Sequence, residues 1–416
     1  MAASSVLPVT AVSLADILAP AQSGLDAVSV RLTEVAPDQH PALTAATGQL
    51  LTAGGKRLRP ALALLSCQIF DADSDLAVAL AAAVEMLHTA TLVHDDLIDG
   101  SLLRRGIATL NSNWSPDATV LTGDYLFARA ASFAAQTGSV RVMELFANTL
   151  MVIVNGEIQQ KYPNGKSVPG ADYYKRIYAK TASLFVLAAE AGGELGGAAP
   201  ADLDALRTYG REVGTAFQIV DDVLDFSGSA DRTGKTAGSD LRHGLITLPL
   251  LHYAKLRPQD ADAQAVLRGE TVDRVLTDRL VSAVCNSAAI RSSLNEAREF
   301  ARRWQAALQN QAFTKLRLPN SELLLVGNEY PEARAFLAPY AGAYRHVRFV
   351  RQSELPALYQ QGSVFVLPSL QDGFGMVVYE AAACGLSVIT TDHVGASLRD
   401  GIDGFVVPML ARWRYQ

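Results

Sequence analysis

The chain has 416 residues, long for one domain and short for three, so two domains are expected. Lysine and arginine total 36 against 42 acidic residues, a net charge of -6, which removes any global case for a nucleic-acid binder with its basic surplus. At 49% hydrophobic and 19% charged, the composition excludes a disordered chain and supplies ample material for a core.

From about Ser13 to Gln311 the pattern is helical. Apolar residues recur at spacings of three and four in Leu76–Ile98, Leu121–Ala135, Val140–Ile158, Tyr173–Ala191 and Leu203–Phe226, with Gly100, Gly138, Pro200 and Gly228 as punctuation. This predicts one mainly all-α domain of ten or more helices, residues 1–312. Beyond it, Glu322–Asn328, Val347–Val350, Val364–Ser369 and Leu386–Thr391 are short, β-rich apolar runs. Helical segments, Pro331–Tyr340, Glu354–Gln361 and Phe374–Cys384, alternate with them, which predicts a small parallel α/β unit over residues 320–416.

Cys67, Cys285 and Cys384 are odd in number and far apart, fitting neither a disulfide framework nor a clustered zinc site. No basic residue precedes Arg31, so a secretory leader is not expected, and Glu85 and His88 interrupt the longest apolar run, Leu76–Val93. The expectation is a soluble, cytoplasmic protein that meets a membrane only at its periphery.

Chemistry concentrates in two carboxylate clusters. Asp95, Asp96 and Asp99 close the apolar run Leu76–Ile98, and Asp221, Asp222 and Asp225 repeat the arrangement near the end of Leu203–Phe226. Carboxylates four apart on one helical face repel, and the C-terminal end of a helix is itself negative, so a cation is needed there. Oxygen donors without His or Cys suit Mg²⁺, which completes its shell with water and substrate phosphates. Two such clusters therefore predict several Mg²⁺ ions gripping a diphosphate between two helices.

Cations are spaced for a second anion. Lys56, Arg57 and Arg59 follow the Gly54-Gly55 pair just ahead of a helix expected near Pro60. Alone, this segment equally fits a solvated turn. Arg104-Arg105-Gly106, His88 about two turns before Asp95, Lys180-Thr181 and Lys235 add candidates, although a single His88 also fits a satisfied core histidine.

The segments Gly54–Pro60, Glu85–Asp99 with Arg104-Arg105, Gly123–Leu126, Lys180-Thr181 and Phe217–Asp225 together resemble the trans-isoprenyl diphosphate synthases. Within these the chain looks like the long-chain polyprenyl diphosphate synthases that make quinone side chains, over residues 12–311. The resemblance implies an isoprenoid-synthase helical bundle, a homodimer, and head-to-tail prenyl transfer from an allylic diphosphate to isopentenyl diphosphate. It implies Mg²⁺ held by Asp95, Asp96, Asp99, Asp221, Asp222 and Asp225. By motif match, Lys56, Arg59, His88 and Arg105 would hold isopentenyl diphosphate, while Arg104, Lys180, Thr181, Gln218 and Lys235 face the allylic substrate. Leu245 departs from the family, which often has Lys there. Ala90 and Thr91 lie about one turn below Asp95, where short-chain relatives tend to carry an aromatic side chain. Both are small, as is Ala83, although Met86 and Leu87 narrow the path. A product longer than twenty carbons is expected; the plainer reading is that Ala90 and Thr91 only pack a neighbouring helix.

The remainder resembles part of the donor-binding half of GT-B glycosyltransferases of the family 4 type. Pro368–Gly375 with Glu380 carries this likeness, Asp372 and Glu380 keeping the family's spacing of two acids, and Gly401–Pro408 resembles its closing segment. The acceptor half and the stretch that brings basic residues to the donor diphosphate are missing, which favours a non-catalytic appendage or a truncated fusion over glycosyl transfer. Two other readings weigh less. A non-catalytic synthase subunit would lack the aspartate motifs, and a terpene cyclase has little use for the cations of Lys56–Arg59.

Overall fold

The computed structural model describes residues 18–34, 39–52, 55–104, 107–162, 169–227, 237–270, 273–300, 323–326, 344–347, 350–367, 376–391 and 405–407. Gly54, Arg105, Gly228, Lys235, Asp372 and the expected helix Pro331–Tyr340 lie outside them. The chain divides into two compact units, Ala21–Trp304 and a second comprising Met1–Pro20 with Gln305–Gln416.

The first unit is a helical bundle. Its helices are α1 (Gln22–Thr33), α2 (Pro41–Thr52), α3 (Leu58–Ile69) and α4 (Ser74–Ile98), then, after a short hairpin, α5 (Leu110–Asn113), α6 (Pro116–Ala135) and α7 (Val140–Lys161). There follow α8 (Pro169–Ile177), α9 (Ser183–Leu195), α10 (Pro200–Ser227), α11 (Ser239–Arg242), α12 (Leu248–Leu256), α13 (Ala261–Leu267) and α14 (Arg274–Cys285), with residues 289–300 again helical.

Helix α4 is the axis. Asp73 caps it by accepting hydrogen bonds from the Asp75 and Leu76 amides at 2.9 and 3.2 Å, satisfying donors that have no partner within the helix. The middle of α4 is buried on every side, including Ala79–Leu87, as expected of a helix that is apolar all round. By length and composition α4 could cross a bilayer, yet most of it is enclosed by the bundle, as in the core helix of a soluble fold. It packs most extensively on α6. Gly123 permits this approach, because a Cβ there would lie 2.4 Å from the His94 ring.

The expected helix Tyr173–Ala191 is three pieces. Between α8 and α9 lies a π-helical segment, Tyr178–Ala182, which adds a residue to one turn. Periodicity cannot register this change, since the apolar stripe runs through it. Glycines of neighbouring helices admit the segment. A Cβ on Gly156 of α7 would meet the Ala179 side chain at 2.4 Å, and one on Gly214 of α10 would meet the Ala182 backbone at 2.5 Å.

Two local differences bear on the site. Helix α3 begins at Leu58, two residues before the expected Pro60, because Arg57 takes a left-handed conformation (φ 49°) and starts it. Leu103–Arg104 pairs antiparallel with Ile107–Ala108 as strands β1 and β2, a hairpin the periodicity does not announce because each strand has only two residues.

In the second unit, β3 (Leu323–Val326) pairs in parallel with β4 (Tyr344–Val347), and β5 (Val364–Leu367), β6 (Ser387–Thr391) and β7 (Phe405–Val407) form a parallel three-stranded sheet in that order. Helices α15 (Leu355–Tyr359) and α16 (Met376–Ala383) accompany them, and Val378, Ala381 and Val388 form a small core flanked by Tyr359 and Phe365. Strand β4 covers Tyr344–Val347, and Arg348 and Phe349 of the expected strand Val347–Val350 lie outside the described residues.

Gly214→Ala is expected to destabilise the bundle by about 1–3 kcal/mol, the usual cost of overpacking. Gly48→Ala, where a Cβ would meet nothing within 4 Å in α2, should be neutral or stabilising by up to ~1 kcal/mol. Urea denaturation of the two variants checks the contrast.

Candidate functional site

The first cluster closes α4. Asp95 and Asp96 sit in its last turn, and Asp99 is the C-cap residue, its amide donating to the Asp95 carbonyl. The three side chains diverge. Asp96 is buried and accepts three hydrogen bonds from the Arg104 guanidinium, Nε to both oxygens at 2.9 and 3.0 Å and Nη2 to Oδ1 at 2.8 Å. The β1–β2 hairpin is what returns Arg104 to the helix end. Asp95 turns the other way, with Oδ2 3.4 Å from the Lys180 ammonium, and Asp99 is exposed.

The second cluster lies in the last two turns of α10. Asp222 is buried at 2% exposure and accepts hydrogen bonds from the Tyr173 hydroxyl and the Gln218 amide, both at 2.8 Å. Asp225 accepts from the Asp240 amide at 3.1 Å, which ties the start of α11 to the cluster, and Asp221 is exposed.

The π segment joins the two. Lys180 reaches Asp95 on α4, while its neighbour Thr181 donates to Gln218 Oε1 at 2.6 Å, and Gln218 holds Asp222. Consecutive residues thereby serve carboxylates on two different helices. A π-bulge, which alters the direction of successive side chains, is a recurrent way of building such a site.

The cations near α3 separate by role. Arg59 Nη1 lies 3.3 Å from His88 Nε2, and its guanidinium stacks 4.8 Å from the Phe185 ring and 5.9 Å from Phe217, next to Gln218. Lys56 is exposed. Arg57 is structural: it bonds Glu85 at 2.6 Å and the Leu51 carbonyl at 3.1 Å. Ala90 is fully buried, and the Thr91 hydroxyl is turned back to the His88 carbonyl at 2.7 Å.

Several residues here carry no sequence signal. Glu157 of α7 holds the other side of Lys180, at 3.2 Å. Tyr173 and Arg176 of α8 flank Asp222; Arg176 lies 5.7 Å from the Tyr173 ring and donates to the Ile246 carbonyl. A cation thus reaches the corner beside Leu245 from another helix. His94 pairs with Asp124 at 3.4 Å and stacks on Phe127 at 5.1 Å. An isolated polar residue on an amphipathic helix reads as solvated surface, and only packing shows otherwise.

Among the described residues, one carboxylate of each cluster is held above its ordinary pKa. Burial holds the Asp95 carboxyl above its ordinary pKa against the opposing pull of Lys180, and burial pushes Asp222 up to about 7 despite Gln218 and Tyr173. Burial alone would lower the Lys180 pKa, but Asp95 and Glu157 outweigh it and keep the ammonium charged. Hard oxygen donors, desolvated at the negative ends of two helices, fit a divalent cation such as Mg²⁺. Among the described residues no three His, Cys, Asp or Glu converge as a cage.

The polyprenyl synthetase family profile matches residues 40–283, and that of group 1 glycosyl transferases matches residues 296–412. Octaprenyl diphosphate synthase of Escherichia coli is 41% identical over 204 residues, covering 49% of this chain and 63% of the relative, so the chain spans less than two thirds of that protein's length. The octaprenyl diphosphate synthase of Haemophilus influenzae is 37% identical over 265 residues, covering 62% of this chain and 80% of the relative. A polyprenyl synthase from Caulobacter crescentus, solved with calcium and isoprenyl diphosphate, superposes with a TM-score of 0.66 at 36% identity, covering 73% of this chain and 93% of the other.

With its carboxyl raised from 3.8 to about 7, folded Asp222 binds more proton than unfolded Asp222 between these values, so its contribution to stability falls as pH rises through that window. Asp222→Asn should therefore raise the Tm of the metal-free protein by several degrees more at pH 8 than at pH 4. Calorimetry in a chelator reads the difference.

Proposed function

The chain belongs to the polyprenyl synthetase family, and on that footing we propose that it is a trans-prenyltransferase, condensing isopentenyl diphosphate head-to-tail with an allylic diphosphate into a long all-trans polyprenyl diphosphate, a quinone side-chain precursor. The observation that carries this reading is the bridge from Asp95 through Lys180-Thr181 and Gln218 to Asp222, which joins two carboxylate clusters in one network.

Asp95, Asp96, Asp99, Asp221, Asp222 and Asp225 would hold Mg²⁺ ions. Bound Mg²⁺ supplies charge neutralisation for the departing diphosphate. Lys180, Arg104 and Lys235 bind the allylic diphosphate, with Thr181 and Gln218 fixing the reacting end. Lys56, Arg59, Arg105 and His88 hold isopentenyl diphosphate; the stacking of Arg59 between Phe185 and Phe217 supports a preset cation there. The allylic carbon–oxygen bond breaks, the isopentenyl double bond attacks the resulting carbocation, and the proton released passes to the departing diphosphate. The chain grows back along α4 past Thr91 and Ala90.

The synthase reading assigns residues 1–312 to this chemistry and leaves residues 320–416 as a second, non-catalytic domain. Exposed Leu121 of α6 and exposed Met151, Val154 and Ile158 of α7 support a homodimer formed through these helices. We place the enzyme in the cytoplasm, with peripheral membrane contact during product release; its three free cysteines agree with a reducing compartment.

Incubation with labelled isopentenyl diphosphate, farnesyl diphosphate and Mg²⁺ should yield extractable product longer than twenty carbons. Asp95→Ala or Asp221→Ala should lower turnover by orders of magnitude with unchanged circular dichroism; near-normal turnover in either would reject the assignment. Chromatography of dephosphorylated products should show shortening in Ala90→Phe or Thr91→Phe. Light scattering should give twice the chain mass, and the monomer for Met151→Glu/Ile158→Glu.

A further inference from the structure

Glu157 belongs to neither carboxylate cluster, and the condensation described above assigns it no role. Among the described residues it is nonetheless one of two carboxylates that pair with Lys180: the ammonium lies 3.2 Å from Glu157 Oε1 and 3.4 Å from Asp95 Oδ2. The preceding residue, Gly156, allows α7 to approach the π segment closely enough for this reach. Asp95 and Glu157 are mostly withdrawn from solvent, at 14% and 23% side-chain exposure, so neither is strongly screened by water.

A lysine resting on a metal-binding carboxylate competes with any other cation for it. Without an alternative partner Lys180 would be committed to Asp95. With Glu157 on its other side, the ammonium needs only small side-chain rotations to give up one carboxylate while staying hydrogen-bonded to the other, and the packed π segment holds the backbone in place. We propose that Glu157 is a positioning residue: Lys180 releases Asp95 to an incoming divalent cation, remains anchored on Glu157, and keeps its other two N–H groups for phosphate oxygens. The proposal deepens the prenyl-transfer reading and rests on it.

The test is equilibrium Mn²⁺ binding to the full chain without substrate, followed by electron paramagnetic resonance and displaced by Mg²⁺. Four proteins are compared: wild type, Glu157→Gln, Lys180→Met and the double variant. Glu157→Gln should weaken Mn²⁺ binding at least about fivefold, Lys180→Met should strengthen it, and Glu157→Gln should cost less than about twofold once Lys180 is Met. A loss of equal or greater size in the Lys180→Met background would mean that Glu157 acts directly on the ion, and would overturn the proposal. So would unchanged affinity in Glu157→Gln alone. In turnover, Glu157→Gln should raise the Mg²⁺ concentration for half-maximal rate more than it lowers kcat at saturating Mg²⁺, and Glu157→Asp should restore part of the difference; a loss confined to kcat would also overturn it. Wild type that binds Mn²⁺ with the expected coupling but condenses no isoprenyl diphosphates would defeat the prenyl-transfer reading instead.

Discussion

Burying carboxylates without full neutralisation is the constraint on which this bundle is built. Asp95 and Asp222 sit at the negative ends of two long helices, withdrawn from water, and burial drives both toward their neutral forms. An ordinary core would not tolerate them. Here each has polar neighbours at short range, Lys180 for Asp95 and Tyr173 with Gln218 for Asp222. What remains among the described residues is a pair of carboxylates held above their ordinary pKa, and it is this excess of negative charge that the prenyl-transfer reading assigns to divalent cations and the diphosphates they accompany.

The scaffold serves this arrangement by close approach. Glycines at 123, 156 and 214 stand where neighbouring helices leave no room for a methyl group, and each lies within a turn of a polar contact of the site. Gly156 precedes Glu157, Gly214 is one turn before Gln218, and Gly123 precedes Asp124 and faces His94. Tight packing therefore fixes the positions of the functional side chains as well as the stability of the bundle, because close-packed helices transmit small volume changes. The π segment adds the remaining freedom. By offsetting one turn it lets adjacent residues, Lys180 and Thr181, address helices α4 and α10 separately.

Two cations of the chain itself sit on these carboxylates. Arg104 grips Asp96 bidentately and Lys180 divides itself between Asp95 and Glu157. Both are residues that the prenyl-transfer reading gives to the allylic diphosphate. On that reading, a charge pair of this kind would hold the site in shape before ligands arrive and supply the same groups to the ligand afterwards, at the cost of competition for the carboxylates.

Much of the site was legible in the linear order of residues. Paired aspartates four apart at the ends of apolar helices signal a cation because local repulsion and the helix dipole both act within a few residues. The helical class of the first unit and the strand–helix alternation of the second follow from periodicity, which is also local. Only tertiary structure decided what those aspartates touch: that Asp96 meets Arg104 through a hairpin of two-residue strands, that Tyr173 and Arg176 crowd Asp222, that Arg57 is a structural partner of Glu85 while Arg59 joins His88, and that Glu157 shares Lys180. All but the hairpin contact depend on the approach of helices distant in sequence, and the last also on the extra residue in one turn at Tyr178–Ala182. Neither leaves a periodic trace, because a π-bulge preserves the apolar stripe and a polar residue that meets a distant helix looks, in sequence, like one that meets water.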